Sequence, residues 1–308
     1  MNVKSRRFKA VDILLLAGAI LPLVGAIVLK VLTAPASEGI HITGAQIYFE
    51  IPMPLQPLLI TEAQVVSAAV VLTILFLCLY LTHGIAVVPS SKRQLVAEWI
   101  VEKCQGMVDT NMGPYFKGFG PFIAAIMGLS ALSSLSSLLG LFPPTSDINI
   151  VAGWAILVFV LITYYKLKAG LWFYIKGFAQ PVPFLLPMNI ISEAATPVSM
   201  SFRHYGNILS GSIISALLAA AFAGLSNLLL GWIPYVGDSQ ILRIGIPAVL
   251  SLYFDIFSGG LQAFIFATLT MMYVSGGFPQ SEFEERKAKR EAKKKAKLEK
   301  KLAKAALC

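Results

Sequence analysis

The chain alternates between long apolar runs and short polar breaks. Residues 11–33 form one apolar run, and a second extends from about Ile60 to Val88. A third covers about Pro121 to Leu141 and a fourth about Asn149 to Tyr165. Each approaches the roughly 20 residues that a helix needs to cross a bilayer. Between the second and third lies an amphipathic stretch containing Glu98, Glu102 and Lys103, which predicts a helix lying on the membrane surface. The apolar runs are continuous and lack the ten-residue alternation of a membrane barrel, so strands are not indicated.

Two later elements are too long for a simple crossing. Residues 188–231 contain no strong breaker except Pro197. As one helix they would extend about 65 Å, against a hydrocarbon core about 30 Å thick. Residues 240–276 pose the same problem, so the two predict a hairpin of tilted or kinked helices. The predicted fold is an all-α polytopic membrane protein: about four spanning helices, one amphipathic surface helix and two long, tilted or kinked hairpin helices. Its divisions are an N-terminal extra helix over 1–33, an external loop over 34–59, a membrane domain over 60–277 and a basic tail over 278–308.

Charge orients this plan. Lys4, Arg6, Arg7 and Lys9 precede the first run, whereas residues 34–60 contain no Lys or Arg. Lys92 and Arg93 follow the second run, and Lys166 and Lys168 end the fourth. Under the positive-inside rule the loops then alternate without contradiction, leaving the C-terminal tail cytoplasmic. Lys30 and Arg243 near outer ends are small exceptions. Ala34-Pro35-Ala36 resembles a signal-peptidase site, but the preceding run exceeds a usual signal-peptide core, favouring an uncleaved helix. Only 13% of the 308 residues are charged, and 56% are hydrophobic. Residues 281–308 hold eleven Lys/Arg and five Glu, so most of the net charge of +9 sits in the tail. That distribution fits a membrane-apposed tail rather than a nucleic-acid surface. Cys78, Cys104 and Cys308 show neither metal-ligand spacing nor a disulfide framework.

Arg203 breaks the apolar pattern of the first long element. A guanidinium stays protonated at biological pH, and at membrane depth it costs about 3 kcal/mol or more. On a helix, Arg203, Gly206, Asn207, Ser210 and Gly211 share a face. The small residues allow close approach of another helix, and Asn207 lies one turn from the guanidinium. The second long element carries Asp255 and Gln262, seven residues apart on one face. An intramembrane carboxylate is an ion-path candidate. A plain small-residue helix contact with a snorkelling arginine remains the alternative on these residues alone.

The histidines His41, His83 and His204 are scattered without ligand spacing, and neither a phosphate-binding loop nor a Gly-x-Ser-x-Gly elbow occurs. Catalysis on this chain is not indicated, and neither a cofactor nor a metal is expected. The readings left are an ion-conducting subunit, a self-contained secondary transporter using Arg203 to bind an anionic substrate, or an assembly factor. The absence of repeat halves weighs against the transporter.

Residues 202–211, Phe-Arg-His-Tyr-Gly-Asn-Ile-Leu-Ser-Gly, resemble the R-L-F-G-N-x-x-A-G signature of subunit a of the F-type rotary ATP synthases. The run from Leu261 to Phe266, with Leu269, Thr270 and Tyr273, resembles that family's C-terminal signature. Residues 140–147 and 193–201 resemble two further motifs, in the same order. The resemblance covers about residues 55–277 and implies the bacterial type, in the plasma membrane. It implies a stator wall beside a ring of c subunits, with two half-channels carrying protons to and from the ring carboxylates. Arg203 would be the electrostatic gate between them, flanked by Asn207 and Gln262. Gly206, Ser210 and Gly211 would face the ring. Asp255 falls where many members carry a His or Glu in the outer path, and Ser212 where some carry its Glu partner. Glu193 and Asp147 become lesser candidates along the inner and outer entrances. Partners implied are the c-ring, peripheral-stalk b subunits and the rest of the complex, within the bilayer and without nucleic acid. His204 and Tyr205 replace the usual Leu-Phe.

Overall fold

The computed structural model describes residues 10–33, 44–54, 56–87, 91–168, 170–179, 182–230, 241–281, 283–285 and 288–289. The chain is an all-α polytopic membrane protein. Among the described residues, six helical stretches are long and apolar enough to cross a membrane. Their outward surfaces are dense in exposed Leu, Ile and Val, such as Leu21, Leu72 and Val160, as lipid-facing helices require.

The first helix, α1 (Ala10–Thr33), packs along α2 (Glu62–Thr82). Between them lies a correction to the sequence expectation: strands β1 (Ile47–Ile51) and β2 (Leu58–Thr61) form an antiparallel hairpin. Its short strands, separated by Pro52, Pro54 and Pro57, are too brief for a clear alternation. The hairpin leads directly into α2, where the Thr61 N–H donates to Gln64 Oε1 at 3.1 Å and the Glu62 N–H donates to the Gln46 carbonyl at 2.7 Å.

The surface helix is α3 (Lys92–Met112), begun by Ser91, whose side chain accepts the Gln94 N–H. It buries Cys104, Val108 and Met112 at four-residue spacing, which gives it one inward stripe. A 3-10 stretch over Pro114–Phe119 leads into α4 (Gly120–Leu135), extended by a 3-10 turn over Ser136–Leu139. Gly140 ends that run at φ +71°, a left-handed conformation that favours glycine. A short 3-10 turn, Pro144–Ser146, precedes α5 (Ile148–Leu167). A helix the sequence reading did not anticipate, α6 (Leu171–Phe178), follows.

The two long elements are α7 (Leu186–Leu230) and α8 (Ile241–Gly276), packed along each other. Pro197 lies within α7 and removes the N–H that would bond the Glu193 carbonyl. The main core lies where α3, α4, α5, α7 and α8 meet, and includes Val108, Ile123, Val158, Met200, Phe266 and Met271. A second cluster joins α1 and α2 to Leu141. The tail beyond residue 289 lies outside the described residues.

Candidate functional site

His204 fixes the rotation of α7 at the arginine. Its side chain is fully buried, with Nε2 3.3 Å from Ser130 Oγ on α4 and its ring edge-on to Trp154 and Phe266. Successive helical residues point about 100° apart. With His204 turned into the core, Arg203 stands on the exposed face. Its position is about 25 Å along the helix from Leu186. Among the described residues Arg203 makes no ion pair.

Asn207 and Ser210 are also exposed, and Gly206 and Gly211 are half-buried on the same side. A Cβ added at either glycine would meet no atom within 4 Å, so the small-residue face is open. Across from it, Gln262 on α8 is buried, and Asn207 Nδ2 donates to Gln262 Oε1 at 3.4 Å. The structure therefore joins Asn207 to Gln262 across two packed helices, with Arg203 one helical turn before Asn207.

The three carboxylates lie apart from that trio. Asp255 is half-buried two turns before Gln262, near Ser137 in the 3-10 turn after α4, whose hydroxyl donates to the Ser134 carbonyl at 2.8 Å. Ser212 is exposed and donates to the Leu209 carbonyl at 2.8 Å within its own helix. Asp147 accepts the Asn149 N–H at 2.9 Å and so caps α5. Glu193 is ten residues before Arg203 on α7, about 15 Å along the axis.

Glu193 is the centre of a polar group that sequence reasoning did not assemble. Lys166 Nζ lies 2.8 Å from Glu193 Oε2, and the Tyr174 hydroxyl donates to Oε1 at 3.1 Å. Burial, and then the charge and hydrogen bond of Glu193, push the Tyr174 hydroxyl up to about 12, so it remains a donor. These residues, with Asn189, Ser192 and Thr196, line a cavity of about 500 Å³. Lys166 was legible only as an orienting charge at the end of α5. Tyr174 sits on α6, and no local spacing links either residue to Glu193. Among the described residues, no group of His, Cys, Asp and Glu could hold a metal.

The arrangement offers a fixed cation on an open helix face, an amide pair beside it, and separate polar groups toward either end of the long helices. The family described as ATP synthase A chain matches residues 64–275. The chain is 34% identical over 223 residues to the ATP synthase subunit a of Priestia megaterium, covering 68% of this chain and 87% of that one. It is 32% identical over 225 residues to that of Anoxybacillus flavithermus, covering 69% and 90%. It is 32% identical over 231 residues to that of Bacillus subtilis, covering 71% and 89%.

Proposed function

Since this chain belongs to the ATP synthase subunit a family, we propose that it is the stator half of a proton-driven rotary motor, with Arg203 as its gate. The observation that carries this reading is the exposed, unpaired state of Arg203 among the described residues, on an open small-residue face. A guanidinium in mid-membrane needs a counter-charge. On this chain's partner, the c-ring, each subunit would bring one carboxylate past that face. The proximity of a fixed cation favours the ionised carboxylate, so a protonated ring site releases its proton as it nears Arg203. The same charge repels a proton moving straight along the wall. Protons would therefore cross only by riding the ring, and their flow would become rotation.

Asn207 and Gln262 would hold the polar surroundings of the guanidinium in place. The cavity around Glu193, Lys166 and Tyr174 would serve the cytoplasmic route. Asp255 with Ser137 would serve the opposite one, and Asp147 would lie near its entrance. Nucleotide chemistry would occur on other subunits, and b subunits of the peripheral stalk would hold this chain against the turning ring. The basic tail would lie on the cytoplasmic side.

Arg203→Ala in the assembled complex tests the gate. ATP-driven proton pumping in membrane vesicles is expected to disappear while the complex still assembles with its c-ring. Pumping at the unsubstituted rate would overturn the assignment.

A further inference from the structure

We propose that α1 is a retained brace, pinned at both ends by ion pairs to buried carboxylates, that fixes the loop after α4 and the start of α3. This helix lies outside the residues that the family matches. At one end, Lys30 Nζ lies 2.8 Å from Glu62 Oε1, and the Glu62 side chain is 3% exposed. The same carboxylate oxygen accepts the Phe142 N–H at 2.9 Å. Phe142 opens the segment leading to the Pro144–Ser146 turn, which packs against α7. Lys30 is thus joined through one carboxylate to the loop beside the long hairpin.

At the other end, Arg93 Nη1 lies 2.6 Å from Asp12 Oδ1, with both side chains largely buried. Arg93 also donates to the His83 carbonyl and lies over the Tyr80 ring, 4.9 Å from its centroid. One guanidinium therefore ties the first turn of α1, the end of α2 and the first turn of α3. Between the two pins the helices touch closely. Thr73 Oγ1 donates to the Ala19 carbonyl at 2.9 Å, and a Cβ on Gly18 would come within 2.7 Å of the Phe76 ring.

The pairing also explains Lys30, which broke the charge pattern as an isolated residue. Cleavage at Ala34-Pro35-Ala36 would remove Lys30 and Asp12 together. Glu62 and Arg93 would then lose the opposite charges beside them in buried positions, which is strongly unfavourable. A helix needed for that neutralisation is part of the mature protein.

Intact-mass measurement of the subunit in the purified complex, with a mutant cycle at the Lys30 end, tests the brace. The mature chain is expected to contain Lys30. Lys30→Met should lower recovery of the subunit in the solubilised complex by about tenfold, because it leaves a buried carboxylate without its cation. Lys30→Met combined with Glu62→Gln should return recovery to within about twofold of the unsubstituted level, since the amide oxygen still accepts the Phe142 N–H. A mature chain starting after residue 36 would overturn the proposal. So would a Lys30→Met complex as abundant as the unsubstituted one, or a double variant as depleted as the product of the single effects. If Lys30→Met yields no protein, the double variant decides: recovery supports the brace, and continued absence refutes it. These readouts do not depend on proton pumping.

Discussion

A histidine next to a membrane arginine invites a proton-transfer role, yet its surroundings argue for packing. His204 is enclosed by Trp154, Phe266 and α4, with Ser130 as the partner of Nε2, while among the described residues the buried Nδ1 has no hydrogen-bond partner. Replacing it by Leu removes one weak hydrogen bond and one unsatisfied nitrogen, two effects that oppose each other. His204→Leu should therefore change stability by less than about 1 kcal/mol and leave pumping near normal. His204→Lys should cost on the order of 3 kcal/mol or more by burying an unpaired charge. Thermal release of the subunit from the detergent-solubilised complex reads both effects. Loss of pumping in a stable His204→Leu complex would reassign His204 to the proton path. At this scale the shared face of Arg203, Gly206, Asn207, Ser210 and Gly211 was legible, because it needs only helical spacing. The inward turn of His204 was not, because the Ser130, Trp154 and Phe266 that enclose it come from three other helices.

The second long helix, α8, approaches α4 closely. A Cβ on Gly259 would lie 2.8 Å from Ser134 Cβ, and Ser134 in turn donates to Thr145 Oγ1 at 3.3 Å in the following turn. Neither β-carbon has a flexible end that could swing aside. Gly259→Ala should therefore destabilise the subunit by about 1–3 kcal/mol through overpacking. Ser134→Gly in the same chain should recover part of that loss, set against its lost bond to Thr145 and the helix cost of glycine, read as the temperature at which subunit and ring separate. A Gly259→Ala complex with an unchanged separation temperature would contradict this close packing. The spans and both long helices were readable from apolar run length, although α2 ends at Thr82, six residues short of the expected Val88. The β1–β2 hairpin and α6 were not. Each is much shorter than a membrane span, and proline-rich sequence adjoins both. The hairpin's attachment depends on Glu62 at the start of the next element, and α6 meets α7 through the bond from Tyr174 to Glu193.

Across the whole molecule the polar groups are divided, and that division bears on ion movement. The cavity around Glu193 lies toward the start of α7 and the end of α8. The Asp255–Ser137 pair lies at the end of α4, on an earlier part of α8. Because α7 and α8 pack along each other, Arg203 stands between the two groups rather than within either. Two separate aqueous routes from opposite membrane faces require this order, whereas a single through-pore would be continuous past the arginine. Cysteine labelling distinguishes the two cases. The native background should be low: burial pushes the Cys104 thiol up, which lowers its reactive thiolate fraction, and replacing Cys78, Cys104 and Cys308 by Ser removes the rest. In that background, Thr196→Cys lines the Glu193 cavity and should react with a charged, membrane-impermeant maleimide from the cytoplasmic face alone. Ser137→Cys should react from the opposite face alone. Labelling of both sites from one face would contradict two offset routes, because both groups would then open to the same solution and no ring rotation would be needed to join them.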